Sequence, residues 1–353
     1  MNDYSETTEY PLITDSSVLK KSRAKVINSN DDTEILQIGL LPTKNIIEKY
    51  RHLFKEKDKI LVVSGDSFVH GDELADKDLP HYPGPARPQT GLNGDPLYFA
   101  PKEQMLRFKK YKESLFERDQ AKYDELWVNE RKKSFPMLIQ QKRDDILVIN
   151  LADRGESTQR NTRIIVEICA SLKKEFPNKT IEAILGLSGP NRTEEITKHG
   201  YIWFHSGITH EKTSRENIDI KKLYGDYRKF FVNNLDNNSL IEKYAISLMW
   251  FFGCLDHLNI KYHLVLPNTV LEHLQEWNYE KIFFEKYGFI MKEKFKPIEM
   301  LSDREISKFM VKNVPIMHIG GHYVDTVHEM MRDKLLSVIF KDYYLHKIKR
   351  GNT

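Results

Sequence analysis

Four short segments of this 353-residue chain carry the side chains that acyl transfer needs. Gly65-Asp66-Ser67-Phe68 holds a serine in a turn. Gly155 closes the segment Asn150-Leu151-Ala152-Asp153-Arg154-Gly155. Asn191 follows Gly189-Pro190. Near the C-terminus come His318-Ile319-Gly320-Gly321-His322 and then Asp325 and His328. Serine is a weak nucleophile until a base takes its proton, so it needs a histidine in reach. The oxyanion that then develops needs preorganised donors, and a backbone N–H from a glycine turn with an asparagine amide supplies two without adding charge. Taken singly, each residue is ordinary. A turn serine commonly N-caps a helix, glycine marks a turn, and asparagine often closes an Asx-turn. What joins them is order: the serine, glycine and asparagine each come just after a strand-like run.

The elements that must position them follow from periodicity. Ile60, Leu61, Val62 and Val63 form a continuous apolar run, the pattern of a parallel strand covered on both faces. Residues 145–150, 181–187 and 262–266 repeat it, the last stopped by Pro267. Between them lie helical patterns. Residues 43–55 place Ile46, Ile47, Tyr50, Leu53 and Phe54 on one face, and 161–176 do the same with Ile164, Ile165, Ile168, Cys169 and Leu172. Ser239 with Glu242, Ser302 with Glu305 and Thr326 with Glu329 have capping-box spacing and open three further helices. Strands alternating with helices predict an α/β fold, a three-layer α/β/α arrangement with a mainly parallel sheet. In such open sheets, active residues collect beyond the carboxyl ends of the strands. The domain reading is an N-terminal extension at 1–58 (a polar arm and a helix), an α/β domain at 59–345, and a tail at 346–353. Within the domain, 79–133 is a loop–helix insertion, Pro- and Gly-rich at first and then charged and helical, read as a lid or an interaction hairpin.

Composition narrows the function classes. Lys plus Arg is 54 against 51 for Asp plus Glu, a net charge of +3. That balance does not argue for a nucleic-acid or membrane surface. The basic run from Arg107 to Lys112, with Phe108 and Tyr111 interleaved, reads as a solvated amphipathic helix. The two cysteines, Cys169 and Cys254, make no disulfide framework. The longest strongly apolar stretch, 246–255, falls well short of the ~20 residues that a membrane span needs. With an acidic, polar start and no signal-like segment, the expected location is the cytoplasm, or a virion if the chain is phage-encoded. His205, His210, His257 and His263 lack metal-ligand spacing, and no nucleotide-binding glycine motif is present, so no metal or cofactor is expected. Tyr201-Ile202-Trp203-Phe204 reads as a strand or a pocket wall.

The four segments resemble those of the SGNH (GDSL-type) hydrolase superfamily, over about residues 59–340 outside the insertion. The resemblance implies a flavodoxin-like α/β fold with Ser67 as nucleophile. It makes the Gly155 backbone and the Asn191 side chain the oxyanion donors, and a C-terminal histidine the general base. The longer wording of Gly65 to Leu74, Asn150 to Ser157 and Pro190 to Glu194 resembles a branch found in tailed bacteriophages. In the family, an aspartate three residues before the histidine orients it. Two registers are open here. With His322 as base, the acid position is Ile319. With His328 as base, Asp325 matches the pattern literally, but His328 then lies in a first helical turn, where the helix dipole disfavours an imidazolium. His322 is preferred. Asp66 and Arg192 are candidate substrate-binding residues. Arg192 stands where many members carry aspartate, and it either meets an anionic substrate group or pairs with Glu194 or Glu195. The implied activity is that of a serine esterase acting on a small-molecule or glycan ester, with carbohydrate esters the family-level expectation. The alternative is a catalytically impaired structural or interaction protein of the same fold, a phage virion component. Virion or homo-oligomer contacts would then run through 1–58 or 79–133.

Overall fold

The computed structural model describes residues 43–84, 88–90, 96–98, 102–143, 145–152, 156–197, 200–205, 236–312, 314–317 and 322–339. The polar arm before Thr43, the Gly155 turn, His210, the block 318–321 and the tail lie outside the described residues. The chain divides into two compact units, Met1–Asp66 with Asp145–Glu299 and Ser67–Asp144 with Met300–Thr353.

The first unit is built on five parallel strands, β1 (Lys59–Ser64), β2 (Ile146–Asn150), β3 (Thr180–Gly186), β4 (Lys261–Leu266) and β5 (Ile298–Glu299). Their order in the sheet is β2-β1-β3-β4-β5. Lys59 of β1 lies opposite Ile146 of β2 and Thr180 of β3, and all pairings in this sheet are parallel. β2 is buried along its whole length, and β1 from Ile60 onward. Alternate residues explain this. Ile60, Val62, Leu147, Ile149, Ala183 and Leu185 join one apolar cluster with Ile165 and Ile168 of the helix Thr158–Glu175, and with Leu248 and Phe252 of the helix Asn237–His257. Leu61, Val63, Val148 and Ile184, which face the other way, are fully buried too. The chain has the three-layer α/β/α class that the alternation predicts, and its continuous apolar runs are the sequence image of two covered faces. Among the described residues, no helix is long and apolar enough to cross a membrane.

Local chemistry moves some boundaries. The helix expected from Asn161 starts at Thr158, because the Ser157 hydroxyl caps it by accepting the Arg160 N–H at 3.2 Å. The long helix starts at Asn237, where Asp236 accepts the Ser239 N–H at 2.7 Å; Glu242 instead accepts from the Tyr287 hydroxyl at 2.7 Å. The Ser302 and Glu305 capping box forms and opens Asp303–Val311. An antiparallel pair, Arg192–Thr197 with Gly200–His205, takes up the aromatic run at 201–204.

The second unit begins with the single helical turn Ser67–His70. The charged stretch forms two helices, Lys102–Arg118 and Gln120–Lys132, broken at Asp119, which caps the second by accepting the Lys122 N–H at 3.1 Å. Phe135–Lys142 follows and packs on the C-terminal helix Asp325–Ile339.

Candidate active site

The order 2-1-3-4-5 reverses its direction of winding between β1 and β3, and ligands of open α/β sheets bind outside the carboxyl ends of the strands at such a point. A buried polar clasp holds these two strand ends together. The Ser64 hydroxyl donates to Asn161 Oδ1 at 2.8 Å, and Asn161 Nδ2 donates to the Ser188 hydroxyl at 3.5 Å. The Ser188 N–H donates to the Thr158 hydroxyl at 2.9 Å. Ser64, Asn161, Ser188 and Thr158 are all fully buried, so each needs these partners.

Beyond β3, the side chain of Asn191 folds back over Gly189. A Cβ at Gly189 would stand 2.6 Å from Asn191 Oδ1, so glycine here lets the asparagine side chain take this position. Arg192 donates through Nη1 to the buried Asp66 at 2.9 Å, while Glu194 takes the guanidinium of Arg163 at 2.8 Å. Asp66 and Arg192 thus neutralise each other just past the ends of β1 and β3. Beyond β2, Asn150 Oδ1 accepts the Ala152 N–H at 3.1 Å; Gly155 lies outside the described residues.

In the second unit, Ser67 is 5% exposed. Its carbonyl accepts the N–H groups of Gly71 at 3.1 Å and Asp72 at 3.0 Å, which winds the chain back after one turn. Gly71 has φ +85°, and a Cβ there would meet Leu74 Cδ1 and Ser134 Cβ at 2.8 Å. Next come Asp72 and Glu73, and these two meet His322. The His322 ring lies 5.3 Å from that of Phe68, the residue after Ser67. Its Nδ1 is 3.3 Å from Glu73 Oε2, and its Nε2 is 3.7 Å from Asp72 Oδ2. Glu73 Oε2 also accepts the backbone N–H of His322 at 3.4 Å.

His328 is placed otherwise. It is 1% exposed in the first turn of Asp325–Ile339, and its Nδ1 accepts the backbone N–H of Phe135 at 3.1 Å. Asp325 is ion-paired with Lys77. Sequence reasoning missed Asp72 and Glu73 as partners of a histidine. The local signal is two adjacent acids, Asp72 and Glu73, five and six residues after the serine, and nothing in their spacing points to a histidine 249 positions on.

A network of charged residues supports this turn. Arg131 Nε donates to His70 Nδ1 at 2.9 Å, and Glu130 Oε2 lies 3.7 Å from His70 Nε2. Glu130 Oε1 accepts the N–H of Glu73 at 3.1 Å. Lys112 pairs with Asp76 at 2.8 Å. Burial outweighs the pull of that ammonium and pushes the Asp76 carboxyl up to about 7. Among the described residues, no cluster of histidine, cysteine and carboxylate side chains could hold a metal ion.

Among solved structures, the chain is similar to the psychrotrophic esterase EstA from Pseudoalteromonas sp., with 12% identity and a TM-score of 0.35 over 82% of this chain and 100% of that one. It is also similar to a carbohydrate esterase whose active site displays divergent catalytic and non-catalytic binding functions, with 12% identity and a TM-score of 0.36 over 80% of this chain and 68% of that one. No family model matches the chain, and no curated protein matches it significantly.

Proposed function

We propose that this chain is a serine ester hydrolase of SGNH type. The observation that carries the reading is His322, set against Phe68 beside Ser67 with a carboxylate 3.3 Å from its Nδ1. In this reading, the Ser67 hydroxyl attacks the ester carbonyl while His322 takes its proton. The roles of oxyanion donors fall to Asn191 and the Gly155 N–H by the resemblance of their segments alone. The C–O bond then breaks, and the alcohol leaves with the proton from His322. Water attacks the acyl-serine with His322 again as base, releasing the acid and restoring the serine. The substrate class is acyl esters of carbohydrates, supported by the four-segment resemblance. The bacteriophage-type wording of those segments supports a bacterial surface glycan as their carrier.

A second reading is an interaction protein that keeps the fold without turnover. One observation favours it: His322 Nε2, the nitrogen a base would present to Ser67, stands 3.7 Å from Asp72. Labelling with a serine-reactive fluorophosphonate, read by intact mass, separates the two. The hydrolase reading expects one adduct on the wild type that is absent from Ser67→Ala. Well-folded wild type without an adduct supports the interaction protein.

A further inference from the structure

We infer that Glu73 is the acid that orients His322, supplied from beside the nucleophile turn rather than from the histidine's own segment. The catalytic consequence rests on the hydrolase reading; the pairing itself does not. Glu73 is a non-glycine residue at φ +70°. That left-handed conformation is uncommon, and it persists where surrounding contacts enforce it, often at functional sites. Here they do: the Glu73 N–H is taken by Asp72 Oδ1 at 3.0 Å and by Glu130 Oε1 at 3.1 Å. Glu130 is fully buried and comes from the end of the helix Gln120–Lys132. With its backbone pinned, Glu73 sets one oxygen, Oε2, where it accepts the backbone N–H of His322 and lies 3.3 Å from Nδ1, an ion-pair contact without hydrogen-bond geometry.

The two side chains are only 19% and 14% exposed, so solvent screens the pair weakly. A carboxylate at Nδ1 draws the imidazole proton there. The lone pair is then left on Nε2, the tautomer that a general base requires. Asp72 is the weaker candidate, because its Oδ2 stands 3.7 Å from Nε2 against 3.3 Å from Glu73 Oε2 to Nδ1, and Nε2 is the nitrogen that a base must present to the serine. Among the described residues, Asp72 and Glu73 are charged groups that face His322. Glu73 in turn has Asp72, Glu130 and Asp76 around it.

The experiment is ¹⁵N and ¹H NMR titration of His322 in the full-length chain, for wild type, Glu73→Gln and Asp72→Asn. It is run beside the pH dependence of fluorophosphonate labelling at Ser67. A carboxylate within about 4–6 Å favours the charged imidazole. Loss of Glu73 is therefore expected to lower the His322 midpoint by about one pH unit or more, and loss of Asp72 by less. Labelling in Glu73→Gln should slow by up to about 10⁴-fold, the cost of a mis-set acid in a serine protease. The wild-type ¹⁵N shifts, which need no variant to fold, should report neutral His322 protonated on Nδ1. A wild-type Nε2–H tautomer, an unmoved midpoint in Glu73→Gln, or a larger fall in Asp72→Asn overturns the inference. If the midpoint falls while wild type takes no label, the pairing holds and the hydrolase reading fails. If Ser67 labels while the midpoint is unmoved, the pairing alone fails.

Discussion

Phe135 donates its backbone N–H to Nδ1 of His328 at 3.1 Å, and the two rings stack with centroids 6.0 Å apart. Accepting through Nδ1 places the proton of the neutral ring on Nε2 and makes His328 a joint between two helices. His328→Ala removes the acceptor of a buried amide, which costs about 1–3 kcal/mol before the lost ring packing is counted. A clear fall in the urea midpoint is expected, with Ser67 labelling per folded molecule retained. His322→Ala should do the reverse and abolish labelling with little change in midpoint. Exchanged outcomes would move the base to His328.

Gly189 and Asn191 offer a test of the oxyanion donor without touching the donor itself. Gly189→Ala drives a Cβ to within 2.6 Å of Asn191 Oδ1, so the asparagine must move. If Asn191 is a donor, hydrolysis of an aryl acetate should fall by about 10²–10³, the usual cost of one oxyanion contact. Asn191→Ala should match it. Unchanged turnover in both variants would remove Asn191 from the site.

Asp76 makes stability depend on pH. Its carboxyl is raised from 3.8 to about 7 by burial, so the folded chain holds a proton that the unfolded chain has released. The resulting stabilisation is complete below the unfolded value and is lost as pH rises through the folded one. Urea midpoints should therefore decline between about pH 4 and pH 7 and then level off. Asp76→Asn should flatten this decline. An equal decline in the variant would assign it to another group.

Arg131 is 1% exposed and donates to His70 at 2.9 Å. Removing one partner from a buried charged network typically costs about 3–5 kcal/mol. Arg131→Ala should lower the thermal midpoint by many degrees, whereas alanine at the exposed Lys109 or Lys110 should leave it nearly unchanged. Similar melts for all three would mean that Arg131 contributes little to the unit around Ser67.

Local patterning alone carries the α/β alternation and the places where chemistry can sit. Burial has a period, and a run such as Ile60 to Val63 can be satisfied only by a sheet covered on both sides. Ser67 and Asn191 follow such runs, so their positions after β1 and β3 were legible from the strands alone. Helix starts were legible only where the capping residue lay inside the expected element, as at Ser302; Asp236 and Ser157 lay just outside it. What the two histidines touch is set by the packing of distant segments. His322 and His328 stand six residues apart, yet one meets Glu73, 249 positions away, and the other the Phe135 amide, 193 positions away. The Asp66 and Arg192 pair, 126 positions apart, was equally hidden. Charge pairing has no period along a chain: it depends on which distant segments fold against one another, and that is set by the packing of the whole core rather than by either partner's neighbours.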